Sequence, residues 1–304
     1  MTERHVPSKA ELKAYLRKRR NWGRWPDNPE AGAVNLITPA KRAAAAGLVK
    51  SGNSVSLSRP WPIEPTPENT NPASLYVMSV GDKSGGGALD YISVAYHGHS
   101  VTHVDSLCHF WDEDGMWGGH DPTEAIHYNG VKHGSVDAWS DGIVTRGVLL
   151  DVPEHRGKPY VTQDEPVHGW ELQAIADSEG LELSPGDAVM VYSGREVYAS
   201  EHHGTWGGPW DKPGLHPSCL TFIRDNDVSV LGWDMLEGHP PHYGPDVTVH
   251  TAISSFGVVL LDNALLQPLA EACAREGRYE FMLTINPLVV PGGTGSPVNP
   301  IAVF

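Results

Sequence analysis

The 304-residue chain contains no run of about 18 apolar residues, so nothing in it reads as a membrane-spanning helix. Its N-terminus lacks an apolar core of about 7–15 residues with a small-residue cleavage site, and no secretory signal is expected. Cysteine is scarce. Cys108, Cys219 and Cys273 are odd in number and far apart, which argues against a disulfide framework and fits a reducing cytoplasm. Positive charge is short as well: 22 Lys and Arg stand against 37 Asp and Glu, a formal net charge of −15. That balance argues against nucleic acid and anionic membrane surfaces as partners and favours a small neutral or cationic ligand. Internal repeats and low-complexity tracts are absent.

What is present is ordinary for a soluble globular protein, with 40% hydrophobic and 19% charged residues. The length allows a substantial core, and no boundary signal divides it. A single domain over 1–304 is expected, with an N-terminal arm of about 1–50. The basic run Lys13 to Arg20 reads as a solvated helix face.

Helical signatures cover 8–20 and 39–50, the second opening on Thr38-Pro39, an N-cap and N1 pair. The Pro-, Asn- and Gly-rich stretch 60–90 reads as loops, and 110–133, crowded with Trp, Gly, His and Asp, as a loop over a site. Strands are expected at 142–152, 188–193, 228–233, 258–261 and 281–285. Helices are expected at 167–179, from about 218, and at 265–275, with a short helix or turn opening at His250. This alternation predicts a mixed α/β fold.

The densest chemistry lies in His97-Gly-His99-Ser-Val-Thr-His103-Val-Asp105-Ser-Leu-Cys-His109. Four histidines and an aspartate occupy odd positions, which an extended strand turns to one face. Imidazole nitrogen and carboxylate oxygen are the donors that hold zinc, manganese or iron. His103 and Asp105 can meet on one strand directly. His99 and His103 would stand about 13 Å apart if extended, so Ser100-Val101-Thr102 must turn back for both to reach one ion. A helix would unite His99 and His103 but carry Asp105 away. Cys108, at an even position, reads as a small buried residue.

The segment resembles the signature H-x-G-T-H-x-D-x-P-x-H of the metal-dependent cyclase/hydrolase family that includes bacterial kynurenine formamidase and isatin hydrolase. His99, Thr102, His103, Asp105 and His109 match it, whereas Val101 replaces a Gly and Leu107 a Pro. A β-branched residue resists positive φ, so the turn must use negative φ at Val101 or fall elsewhere, as at Gly98. Trp22-Gly23, Gly32 to Pro39, Leu231 to Asp234, His250 with Asp262-Asn263, and the ending Gly292 to Phe304 also resemble the roughly 300-residue members.

The resemblance implies a swivelling β/β/α domain, a homodimer or higher homo-oligomer, and a divalent cofactor, Zn²⁺ or Mn²⁺, one or two per chain. It implies His99, His103 and Asp105 as metal ligands. His109, His250 and Asp262 follow as catalytic residues or as a second metal site, Asp262 being one methylene shorter than the family's Glu. Trp111, Trp117 and Trp206, with Trp210, sit in Gly-rich loops and are candidates for stacking on an aromatic substrate. The function implied is metal-assisted hydrolysis of a C–N bond in a small aromatic amide, formamide or lactam. Two alternatives use a similar centre: a biosynthetic cyclase or dehydratase, and a non-haem Fe(II) oxygenase built on two His and one carboxylate.

Overall fold

Local signals set several element boundaries. Ser8 caps the helix Lys9–Arg19, and Glu11 completes a capping box with it. Thr38 caps the helix Pro39–Ala46 through the Lys41 N–H. The computed structural model describes residues 4–66, 69–207 and 211–304; Trp210 lies outside them.

Strand β1 is Ser54–Ser56, and β2 (Ser74–Asp82) and β3 (Gly85–Ser93) form a hairpin. Strand β4 is only His103–Asp105, and β5 (Ile126–His127) with β6 (Gly130–Val131) makes a second small hairpin. Next come β7 (Ile143–Asp151), β8 (Ala188–Tyr192), β9 (Val230–Trp233), β10 (Val259–Asp262) and β11 (Glu280–Ile285). Strands β12 (Gly295–Pro297) and β13 (Ile301–Val303) end the chain.

Among the described residues, nine strands share one mixed sheet in the order β1-β13-β11-β7-β8-β9-β10-β4-β12. Strands β7 to β10 run parallel, and β11 and β4 flank them antiparallel. Every residue of β8, β9 and β10 is buried, as their continuous Val, Leu and Met content requires of parallel strands covered on both faces. The helices Gly169–Ser178 and Cys219–Asp225 pack on each other, and Pro39–Ala46 lies on β7. The mixed α/β class and the strands expected between 142 and 285 are all present.

Two expectations need correction. The stretch 60–90 is not all loop, because β2 and β3 occupy most of 74–93. Asp82 Oδ1 accepts the Ser84 N–H and closes the turn, a local device that the abundance of Gly and Pro concealed. The run 97–109 is not an extended strand either. Residues 97–100 are a turn, and only His103 to Asp105 is strand. The positive φ falls at Gly98 (134°), and Val101 is absent from the left-handed positions.

Candidate metal centre

The carboxyl ends of β8, β9 and β10 point the same way, and in open α/β sheets that edge collects ligands. Antiparallel β4 enters beside β10 with His103 directly opposite Asp262, so the two side chains share a face. On its other side β4 pairs with β12, which sets Gly295 opposite Asp105. A Cβ on Gly295 would stand 3.0 Å from the His97 ring and 2.4 Å from the Val104 carbonyl oxygen. Glycine there lets the imidazole close in.

Asp105 is the centre. It is wholly buried, and neither carboxylate oxygen makes an aligned hydrogen bond. Imidazoles surround it instead: His97 Nδ1 and His103 Nε2 lie 3.0 and 3.3 Å from Oδ1. His109 Nε2 and His250 Nε2 are each 3.7 Å from Oδ2. Burial opposes the Asp105 charge, but the His103 and His97 imidazoles outweigh it and hold the carboxyl well below its ordinary range. Burial likewise opposes charge on His103, yet Asp105 outweighs it and lifts the imidazole to about 9. For His109 burial prevails and pushes it down to about 4.

Outer partners orient these rings. His103 Nδ1 lies 2.8 Å from the Val101 carbonyl oxygen. A carbonyl only accepts, so Nδ1 carries a proton and Nε2 is the atom turned toward Asp105. His250 Nδ1 faces Glu237 Oε1 at 3.1 Å. Glu237 Oε2 in turn accepts the backbone N–H groups of Val249 and His250. Trp233 Nε1 donates to Asp262 Oδ1 at 2.6 Å, leaving Oδ2 3.6 Å from His250 Nε2. His97 stacks on His109 with centroids 4.1 Å apart, and its Nε2 meets Thr294 Oγ1 at 3.0 Å.

Donor atoms converge in two groups that share Asp105: His97, Asp105 and His109, and His103, Asp105 and Asp262. His103, Asp105, His109, His250 and Asp262, all named from the sequence, therefore meet in one place. His99 does not join either group. Its carbonyl accepts from Arg195, its ring lies 5.7 Å from that of Trp206, and burial with the nearby Lys212 and Arg195 charges lowers its pKa to about 4. His97 takes the inward position because the turn begins at Gly98, two residues earlier than the spacing implied. Glu237 was not foreseen, since a lone Glu in a loop carries no signal of its own.

The turn itself is braced from outside. Asn263 adopts φ 55°, and its Nδ2 donates to the carbonyls of Gly98 and Val101. Arg195 donates to Asn263 Oδ1, to the Asp234 carbonyl and to the His99 carbonyl. The buried Asp234 carboxylate accepts the N–H groups of Ser193, Gly194, Arg195 and Met235, which fixes the turn presenting Arg195. Thr102 Oγ1 donates to the Asn263 carbonyl and accepts the Arg59 N–H.

The three tryptophans divide. Trp206 is buried beneath the Arg195 guanidinium, 4.1 Å from its ring, and with Arg59, Ser100 and Leu265 lines a cleft of about 640 Å³. Trp111 is exposed. Trp117 is a core residue: its indole N–H donates to the Pro29 carbonyl and its ring packs against Trp25 and Gly257. The structure gives it packing to do and no open face for a substrate.

A family model described as "Putative cyclase" matches residues 37–238. The chain belongs to this cyclase family. A crystal structure of a novel cyclase superposes with TM-score 0.80 at 26% identity, covering 94% of this chain and 99% of that one. Isatin hydrolase A from Labrenzia aggregata, bound to benzyl benzoate, gives TM-score 0.59 at 20% identity, covering 85% and 94%. Isatin hydrolase A from Ralstonia solanacearum gives 0.57 at 19%, covering 88% and 97%. No protein of curated function matches the sequence. Against the cyclase signature, the replacement of Pro by Leu107 is absorbed by packing. Leu107 is buried against Gly32, where a Cβ would approach it to 2.7 Å.

Proposed function

We propose that this cyclase-family protein is a metal-dependent hydrolase that cleaves the C–N bond of a small aromatic amide, formamide or lactam. The observation that carries the reading is Asp105, a buried carboxylate with no aligned hydrogen bond, ringed by four imidazoles. A buried anion so placed calls for a cation, and the nitrogen and oxygen donors fit zinc or manganese. His97, His103, His109, Asp105 and Asp262 would hold the ion or ions, Asp105 being common to both groups of donors. A divalent ion bound there would polarise a carbonyl and bring a water molecule to a pKa of about 7.

The chain's own residues supply the rest. Glu237 holds His250 with Nε2 turned toward Asp105 and Asp262, so His250 is the imidazole placed to take or return a proton at that atom. The Asn263–Arg195 brace keeps the His97–Thr102 turn from relaxing outward. Trp206 is buried beneath Arg195 and backs this brace, leaving no open face for a planar substrate. Five candidate donors exceed the two His and one carboxylate of an iron oxygenase, which favours hydrolysis over that alternative.

Elemental analysis, paired with hydrolysis of isatin and of N-formylated anilines, tests the reading. One or two equivalents of zinc or manganese per chain and turnover abolished by chelation are expected. Metal-replete protein that hydrolyses none of these, or activity that survives complete chelation, would overturn it.

A further inference from the structure

We infer that His168, His216 and His242 form an acid-released latch that holds the 237–244 loop in place and, through Glu237, the orientation of His250. The device presupposes His250 as the proton-moving group proposed above. Three chain segments lie side by side here, Val167 bridging to Leu215 and Leu215 to Glu237. The imidazoles stand in series, with the His216 ring 4.5 Å from that of His168 and 4.6 Å from that of His242. His216 is 4% exposed, and Tyr243 closes over it edge-on at 5.2 Å.

The hydrogen bond that fixes the His216 ring exists only in its neutral form. Nδ1 accepts the Ser218 N–H at 3.0 Å, so the ring's one proton sits on Nε2 and a second must displace that donor. Ser218 is a shared partner: its Oγ lies 3.0 Å from His168 Nδ1 and accepts the Gly169 N–H. The charges around the cluster are already engaged. Arg156 holds both oxygens of Glu171. Lys9 and Lys13 hold Asp246, and Glu237 faces His250. Burial keeps the Cys219 thiol neutral, the Tyr243 hydroxyl donates to the Pro7 carbonyl, and Arg4 lies over the Trp170 ring. His168 opens on a cleft of about 370 Å³ beside Asp164 and the Lys158–Glu165 pair. A proton on His216 therefore meets two imidazoles, and burial together with those neighbours pushes its pKa down to about 3. His168 and His242 are lowered too, chiefly by burial.

Backbone pairing couples the cluster to the metal centre. The Leu215 N–H donates to the Leu236 carbonyl and the Gly238 N–H to the Leu215 carbonyl, which clamps Glu237 from both sides. A second proton on His216 breaks the Ser218 bond and sets like charges against each other, so the 215–218 segment parts from the loop. Glu237 then loses its place against His250 Nδ1, and that imidazole is free to turn. Opening returns the three histidines toward their ordinary pKa of about 6.5, so it takes up protons and acid drives it.

Amide hydrogen exchange on the full, unaltered chain, corrected for the intrinsic rate at each pH, tests this. The reporters are the paired N–H groups of Leu215, His216, Gly238 and His239. From pH 7 to 5 their protection should fall about 25-fold or more, the factor for one proton taken up at 6.5 when open and about 3 when closed. It should also stay below that of β8 to β10, which open only with the whole fold. His216→Asn keeps an oxygen for the Ser218 N–H and should remove about that factor. Protection independent of pH, or equal to that of the strands at every pH, overturns the latch. Exchange does not depend on turnover, so a chain that hydrolyses nothing sinks the hydrolase reading and leaves this result standing. In an active chain the acid limb of kcat should be less steep for His216→Asn, and an unchanged limb overturns the link to His250.

Discussion

The β2–β3 hairpin and the segment Val101 to Cys108 are close neighbours in the chain and opposites in environment. Every residue from Leu75 to Ser93 is exposed, although much of the stretch is Leu, Val, Ile, Met and Tyr. Every residue from Val101 to Cys108 is buried, although it contains Thr102, His103, Asp105 and Ser106. Each reverses the usual sorting of apolar inside and polar outside. The exposed ribbon lacks a covering surface, and the buried carboxylate is met only by imidazoles, the side chains that hold divalent ions. Such reversals cost free energy in an isolated chain, so each points to something the chain binds.

Removing the charge at the buried end should have the largest effect. Asp105→Asn is expected to release the bound divalent ion and abolish turnover, read by elemental analysis and by the hydrolysis assay. If the ion stays at full stoichiometry, Asp105 is not its centre. Glu237→Gln should lower metal affinity or activity by about 10–100-fold, the usual effect of an outer partner that orients a ligating imidazole. The same variant should leave the fold intact, because the Gln carbonyl oxygen can still accept the Val249 N–H.

The brace comes next. Asn263→Ala removes two hydrogen bonds to the turn and puts alanine at positive φ, for an expected loss of about 1–3 kcal/mol in chemical denaturation. A loss of activity exceeding the loss of stability would show that the brace positions His97 and does more than hold the fold.

Acid should separate the two regions. The hairpin contains no histidine, so acid between pH 7 and 5 should leave it unchanged. The folded core holds His216, which burial, with His168 and His242 nearby, pushes down to about 3. The unfolded chain therefore takes up that proton first, and this contribution to stability is lost as pH falls from the ordinary 6.5 toward 3. Melting curves should shift downward over this range, and His216→Asn should flatten the slope. The smallest effect belongs to the exposed ribbon. Val77→Thr should change folding stability by no more than about 0.5 kcal/mol.

Much of this was legible in order along the chain. The parallel strands announced themselves as short runs of Val, Leu and Met between turn residues, and the helix caps at Ser8 and Thr38 sat where local chemistry put them. His103 and Asp105 could be read as partners because a strand fixes their common face. The hairpin could not be read that way. A strand with apolar residues on both faces has no period to detect, and Gly85-Gly86-Gly87 resembles loop. Nor could Glu237 or Trp233 be found, since their roles are contacts with residues far along the chain.

The sequence by itself determined the donor types, the spacing that joins His103 to Asp105, and the family signature around them, because these depend on residues within a few positions of one another. Tertiary structure decided which of His97 and His99 faces inward. That choice rests on a turn at Gly98 held by Asn263 and Arg195, and on the room left by Gly295 across the sheet. Such contacts form only when distant strands have found their register, and no local pattern encodes them.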